Sequence, residues 1–317
     1  MNEQLTTRLR SALRSGAGKA VKTIWFLVKI MVPTSLAVAL LQWSGLLKIF
    51  AQILSPVMRL VGLPGQAALA FISGALLNNY SAIAVMGTMS LSVRDATIVA
   101  VMCLIAHNLI VETAVMKSAG SSALKMLFLR LGTAVFAAFI LNLLLPKALA
   151  GVSFSVGVAA GEKAILETLR LWGVSTLLLV GKITAFVLAI MLIQSIFEEF
   201  KFMDFLSRLL APFMKIFGLS ADSSFLWIVI NVVGYSYGAG IIKAEYDSGR
   251  LRKQEGDLFN HHAAICHSLM EDTILYAAVG LPVFWLMIPR LVLALAVVWL
   301  ERFRRSHFRK SFRAGTV

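Results

Sequence analysis

Cysteine is almost missing: the 317-residue chain holds two, Cys103 and Cys266. Both lie inside apolar segments, at places that do not correspond in the repeat described below, and this excludes a disulfide framework. Charge is also scarce, at 15% of residues against 59% hydrophobic, with a mean hydropathy of +0.83. That composition excludes an ordinary soluble domain and describes an integral membrane protein. No G-x-x-x-x-G-K-[ST] loop is present, which sets aside a GTPase-energised mechanism, and with no H-E-x-x-H pair and no nucleophile-base-orienter pattern the chain is not expected to be an enzyme. A cleavable leader is not expected either, because the first apolar run is too long and no small-residue cleavage site follows it.

What the chain has is long apolar runs. A hydrocarbon core of about 30 Å takes roughly 20 apolar residues to cross as helix. Segments near 23–43, 92–116, 124–146, 173–197, 257–279 and 282–300 meet that length, while 65–87 and 222–242 are less regular. Acids are the rarer charge, 16 against 30 Lys and Arg, leaving a net +14. The basic residues gather in tails and short loops, which points to topology and anionic lipid headgroups rather than nucleic acid. Arg8, Arg10, Arg14, Lys19 and Lys22 precede the first span, and Arg302, Arg304, Arg305, Arg309, Lys310 and Arg313 follow the last. Both termini are therefore expected on the cytoplasmic side of a bacterial-type inner membrane.

The chain is also internally repeated. LSPVMRLVGLP at 54–64 matches LAPFMKIFGLS at 210–220, an offset of 156, and FLVKIMV at 26–32 echoes LVGKITA at 179–185. HNLIVET, His107 to Thr113, returns as HSLMEDT, His267 to Thr273, an offset of 160. The expected division is a basic cytoplasmic segment 1–20, repeat one 21–150, a linker 151–172, repeat two 173–302 and a basic cytoplasmic tail 303–317. Each repeat reads as a long apolar helix, an amphipathic interfacial segment around a shared proline, an irregular polar segment, a helix carrying the His motif and a closing apolar helix. Broken backbone at membrane depth survives only when buried in protein or lining a cavity, so the irregular third element predicts a re-entrant helical hairpin. With such hairpins each repeat crosses three times and the repeats are inverted. Positive-inside counting favours this, because Lys117, Lys125, Lys201, Arg208, Lys215, Lys243, Arg250, Arg252 and Lys253 then join the cytoplasmic side.

The His motif carries the candidate site. An ionisable group at the centre of a membrane helix costs about 2.5 kcal/mol or more, and such groups usually pair or line a pathway. The candidate substrate-binding residues are His107, Asn108, Glu112, Thr113, His267, Ser268, Glu271, Asp272 and Thr273 on the motif helices. The irregular elements add Asn78, Asn79, Tyr80, Ser81, Tyr235, Ser236 and Tyr237. On a continuous helix Asn108 and Glu112, and Ser268 and Asp272, share one face, and His267 reaches Glu271 at i,i+4. Interhelical polar glue is the plainer alternative. His107, Glu112, His267 and Asp272 are the metal candidates, and the neighbouring cysteines leave a soft metal open beside simple packing. Lys29 and Lys182 sit at matching places inside spans and are expected to snorkel. His261 and His262 are expected to be solvated.

This order of elements resembles the transport core of concentrative nucleoside transporters, and the chain is similar to the wider Gate, or nucleoside-recognition, family. That family includes gate domains of ferrous-iron permeases and the spore maturation membrane proteins, whose sequences ETAVMKSAG at 112–120 and DTILYAAVG at 272–280 resemble. The resemblance spans about 21–302. Asn78, Asn79 and Tyr80 stand where a nucleoside transporter hairpin carries Gln-Thr-Glu. The fold it implies is all-α, with inverted repeats, interfacial helices and re-entrant hairpins. The function it implies is a secondary transporter for a small polar or anionic solute, with a coupling proton or cation and no bound cofactor. A divalent-metal permease and a non-transporting module binding lipid or a partner protein are the alternatives, and a homo-oligomer is compatible with each.

Overall fold

The computed structural model describes residues 2–154, 164–232, 234–235 and 252–314. It is helical apart from one antiparallel pairing of two-residue strands, β1 (Leu91–Ser92) with β2 (Ser153–Phe154). Repeat one supplies α1 (Asn2–Trp43), α2 (Leu46–Leu60), α3 (Ala67–Leu76), α4 (Asn79–Met86), α5 (Val93–Ala106), α6 (Leu109–Ser118) and α7 (Ala123–Leu144). Repeat two supplies α8 (Ile165–Glu199), α9 (Phe202–Met214), α10 (Ser224–Val232), α11 (Lys253–Ile265), α12 (Leu269–Ala278) and α13 (Val283–Ala314). Among the described residues, four stretches are long and apolar enough to cross a membrane: Val93–Ser118, Ala123–Leu144, Ile165–Phe197 and Val283–His307. The chain divides into two compact units, and each takes segments from both repeats.

The first unit comprises Met1–Leu109, Ala134–Phe200 and Asp272–Leu286. Its frame is α1 against α8. Arg8 Nε donates to Glu199 Oε1 at 2.7 Å near one end, and Trp172 Nε1 donates to Ser35 Oγ at 3.2 Å near the other, so the two helices run antiparallel. Ala12, Gly16 and Ala20 are buried at four-residue spacing on α1. A Cβ on Gly16 would come within 2.9 Å of the Met191 carbonyl oxygen, so the small side chains let the backbones touch. Residues 2–20, expected as a basic segment, thus form the opening turns of a packed helix. Lys29 is exposed with its Nζ 4.8 Å from the Trp25 ring centroid, and Lys182 is exposed as well.

The amphipathic segments form helices whose apolar stripes face outward. On α2 the exposed large apolar residues are Leu46, Ile49, Ile53, Val57 and Leu60. In the second unit, α9 and the turn after it expose Phe202, Phe205, Leu209, Phe213 and Ile216, the same five places 156 residues on. A helix showing its apolar face to the outside suits the headgroup boundary of a bilayer. Each helix ends in the same way. Gly62 (φ +73°) and Gly218 (φ +70°) take the left-handed conformation, and the following N–H of Leu63 or Leu219 returns to the carbonyl of Met58 or Met214 at 2.9 Å.

The irregular third element of repeat one is two short helices. α3 stops at Leu76, and Asn78 caps α4 by accepting the Ser81 N–H on its side-chain oxygen at 2.9 Å. Every residue of α4 is buried, as is α5 from Ala96 to Ala106. α3 approaches α5 closely at Gly74, where a Cβ would lie 2.8 Å from Cys103 Sγ. The second unit comprises Ile110–Thr133, Lys201–Glu271 and Met287–Val317, and of its own irregular element α10 and residues 234–235 are described. Ser236 and Tyr237, and the basic residues Lys243 and Arg250, lie outside the described residues.

Candidate functional site

Both copies of the His motif interrupt a helix at the same residue. Asn108 and Ser268 are the second residues of the two copies, with φ of 48° and 47°. Left-handed backbone is uncommon outside glycine, with Asn among the tolerant types. In each copy the freed N–H is captured by the preceding element: Asn108 N–H donates to the Gly74 carbonyl at 3.0 Å, and Ser268 N–H to the Ile230 carbonyl at 2.8 Å. Asn231 Oδ1 then accepts the Leu269 N–H at 3.1 Å. These contacts satisfy part of the backbone polarity that each break exposes.

The interruption changes what the motif presents. His107 and His267 stand at the ends of α5 and α11, not on the helices that carry the acids, so the shared face expected of a continuous helix does not form. Their rings fold back alike, with His107 Nδ1 3.0 Å from the Cys103 carbonyl and His267 Nδ1 2.6 Å from the Ala263 carbonyl. Each imidazole then meets the acid of the other copy. In the first unit His107 Nε2 lies 3.6 Å from Asp272 Oδ2, and in the second His267 Nε2 lies 3.2 Å from Glu112 Oε2.

In the first unit His107 and Asp272 are buried, as are further polar residues of α4 and α12. Asn79, Tyr80, Ser81 and Thr273 are buried, and the Tyr276 hydroxyl donates to Asn79 Oδ1 at 3.2 Å. Among the described residues, Asn79 Nδ2, Ser81 Oγ and Thr273 Oγ1 have no hydrogen-bond partner. Buried polar side-chain atoms are normally hydrogen-bonded, so these three stand apart from the rest of the core. Tyr276 was not among the sequence candidates.

In the second unit, Glu112 also lies 2.7 Å from Arg130 Nη2, and the guanidinium of Arg130 is 0% exposed. Thr113 and Ser268 are buried here too. Tyr235 packs its ring 5.6 Å from that of His267 and donates its hydroxyl to Asn260 Oδ1 at 3.0 Å. Glu271 is half-buried, its Oε2 set 3.7 Å from where a Cβ on Gly234 would stand. Arg290 is 0% exposed and donates through Nη2 to the His267 carbonyl.

Arg130 and Arg290 are the neighbours of the candidate site that the sequence reading missed. They are 160 residues apart, the same offset as the His motif, and that correspondence was the available signal. The solvation expected for His261 and His262 is corrected. His262 is fully buried, accepting Trp227 Nε1–H at 2.8 Å with the Phe217 ring edge-on at 5.0 Å, while His261 packs its Nδ1 2.6 Å from the Asp257 carbonyl. Asn260 joins this face of α11 to the α6–α7 loop, donating to Ser121 Oγ at 2.9 Å. Asp257, His261 and Glu301 bring three potential metal ligands together, yet protein cations already match the acids. Lys125 and Arg304 reach Glu301 at 3.0 and 2.8 Å, and Arg305 pairs with both Glu301 and Asp257.

Comparison with known proteins places the chain among membrane proteins. The nucleoside-recognition Gate family model matches residues 24–123, which include the first His motif. A relative in Bacillus subtilis (strain 168), described as the uncharacterized membrane protein YvoD, is 31% identical over 304 residues, covering 92% of this chain and 96% of the relative. No solved structure matches.

Proposed function

Since the chain belongs to the Gate family of membrane proteins and is transporter-like in that sense, we propose that it is a proton-coupled secondary transporter of a small polar or anionic solute. The observation that carries the reading is the exchanged pairing of His107 with Asp272 and His267 with Glu112. A carbonyl oxygen only accepts, so the Nδ1 of each ring, turned to Cys103 or Ala263, holds the hydrogen. A neutral ring then offers a bare Nε2 to a carboxylate. Two acceptors face each other favourably only with a proton between them, carried either by the imidazole or by the acid. The His267–Glu112 pair is at hydrogen-bond distance and the His107–Asp272 pair just beyond it, so each offers a buried place for a proton, and coupling protons to solute is the use such groups have in transporters.

The inverted-repeat reading is supported by the antiparallel course of α1 and α8, the first helices of the two repeats. The α3-break-α4 element, with its buried cap, supports a re-entrant hairpin in repeat one. The inner membrane, with both termini cytoplasmic, is the accompanying localisation. A resident metal at Glu112 is disfavoured, because a guanidinium 2.7 Å away opposes any further cation.

The test is uptake into proteoliposomes loaded with a pH dye, challenged with small carboxylates, phosphate esters and nucleosides, with and without a pH gradient. Solute-dependent proton entry by the wild type, lost in His107→Ala and His267→Ala proteins that still elute as folded species, is the expected result. A folded wild type that moves neither solute nor protons would sink the reading.

A further inference from the structure

Repeat two carries a positive charge that the described chain leaves unmatched. Arg130 and Arg290 occupy corresponding places in the closing helices of the two repeats, and both are 0% exposed. Arg130 has its counter-charge in Glu112 at 2.7 Å. Arg290 differs: among the described residues it enters no salt bridge, and its one recorded bond is from Nη2 to the His267 carbonyl. Its Nε and Nη1 have no hydrogen-bond partner among the described residues. Glu271, the extra acid of the second motif, is turned toward Gly234 instead.

A guanidinium presents five N–H donors and is always charged. Taking it out of water costs several kcal/mol unless an anion or a full set of acceptors replaces the lost hydration. One backbone carbonyl replaces a small part of it. That carbonyl belongs to His267, the residue before the left-handed Ser268, so the guanidinium is held at the interruption with its Nε and Nη1 still open. Arg is also the side chain whose geometry best fits carboxylate and phosphate oxygens.

We infer that Arg290 is an anion-binding residue and that an oxyanion, a carboxylate or phosphate group, is the charge it recognises. This deepens the transport reading, on which it rests for the idea that the anion is part of a transported solute. The two repeats then divide their labour. Repeat one closes its arginine with an acid of the chain, and repeat two leaves its arginine for the ligand.

The experiment is thermal unfolding of the purified full chain in detergent, titrated separately with inorganic phosphate and with succinate, chloride keeping the ionic strength constant. The wild type should show a saturable rise in Tm with at least one of them, phosphate or succinate indicating which oxyanion is preferred. Arg290→Gln should lose the response, Arg290→Lys should keep it with an apparent affinity at least about tenfold weaker, and Arg304→Gln should respond as wild type. If Arg290→Gln does not fold, the wild-type titration and the Lys variant decide. No saturable response in the wild type, or an undiminished one in either Arg290 variant, overturns the inference. Anion binding without solute uptake would sink the transport reading alone, whereas uptake of an uncharged solute by a protein blind to both anions would sink this inference alone.

Discussion

His267 Nε2 faces Glu112 Oε2 at 3.2 Å, so the imidazole of the second motif is completed by the acid of the first. The converse holds for His107 and Asp272 at 3.6 Å. Neither motif is a complete pair by itself, although each contains both residue types. The two copies thereby depend on each other: losing one breaks both pairs.

Glu112 is the most exposed point of that arrangement to mutation, because it also holds Arg130. Glu112→Ala leaves a buried guanidinium uncompensated, with an expected loss of about 3–5 kcal/mol. Replacing Glu112 and Arg130 together by Leu and Met should recover most of that loss. Chemical denaturation in detergent, arranged as a double-mutant cycle, checks it. Additive single-mutant effects would contradict a direct pair.

The cut in each motif makes a conformational demand. Asn108→Gly and Ser268→Gly should be tolerated within a few tenths of a kcal/mol, while Asn108→Val and Ser268→Val should each cost about 1–3 kcal/mol, since a β-branched residue resists positive φ. Unfolding midpoints of the four variants measure this. Equal midpoints for Gly and Val at either position would mean that the backbone there is not left-handed.

Gly74 tests the approach of α3 to α5. A Cβ there would stand 2.8 Å from Cys103 Sγ and 3.1 Å from Ala82 Cβ, so Gly74→Ala should destabilise by about 1–3 kcal/mol. Because the nearest atom is a sulfur, Cys103→Ala should partly rescue it. Absence of rescue would place the conflict elsewhere.

Gly16 makes the same point for α1 and α8, with a harder neighbour. The atom met at 2.9 Å is the backbone oxygen of Met191, which has no rotamer to change. Gly16→Leu should separate the helices and lower the unfolding midpoint by several degrees, an effect of about 2 kcal/mol or more. Gly18, with nothing within 4 Å of its Cβ position, is the matched control. A Gly18→Leu variant as unstable as Gly16→Leu would refute the packing argument.

The repeats, the amphipathic helices and the short polar element of repeat one were readable, because each leaves a periodic or duplicated trace in the chain. Leu46, Ile49, Ile53, Val57 and Leu60 form one helical stripe, and their counterparts in α9 and its following turn repeat it. The partner of each motif acid was not readable. Helical spacing puts His267 over Glu271, whereas one residue of positive φ at Ser268 redirects the imidazole toward Glu112. The burial of His262 depends on Trp227 and Phe217, which belong to other elements, so no local pattern announces it. Arg130 and Arg290 were hidden for a different reason: positive-inside counting attends to loops and passes over a basic residue within a span. The small residues Ala12, Gly16 and Ala20 were visible but sat in a segment that its charge had assigned to a tail.

The left-handed residues at 108 and 268 have an electrostatic consequence as well. Each cut turns one helix into two and leaves a carboxyl end and an amino end facing the interruption. Aligned peptide dipoles give such ends partial charges of about half an elementary charge, negative and positive in turn. These charges belong to the main chain. Substituting a histidine or an acid of the motif would change the side chains of the site, but its fixed field would persist for as long as the two cuts do.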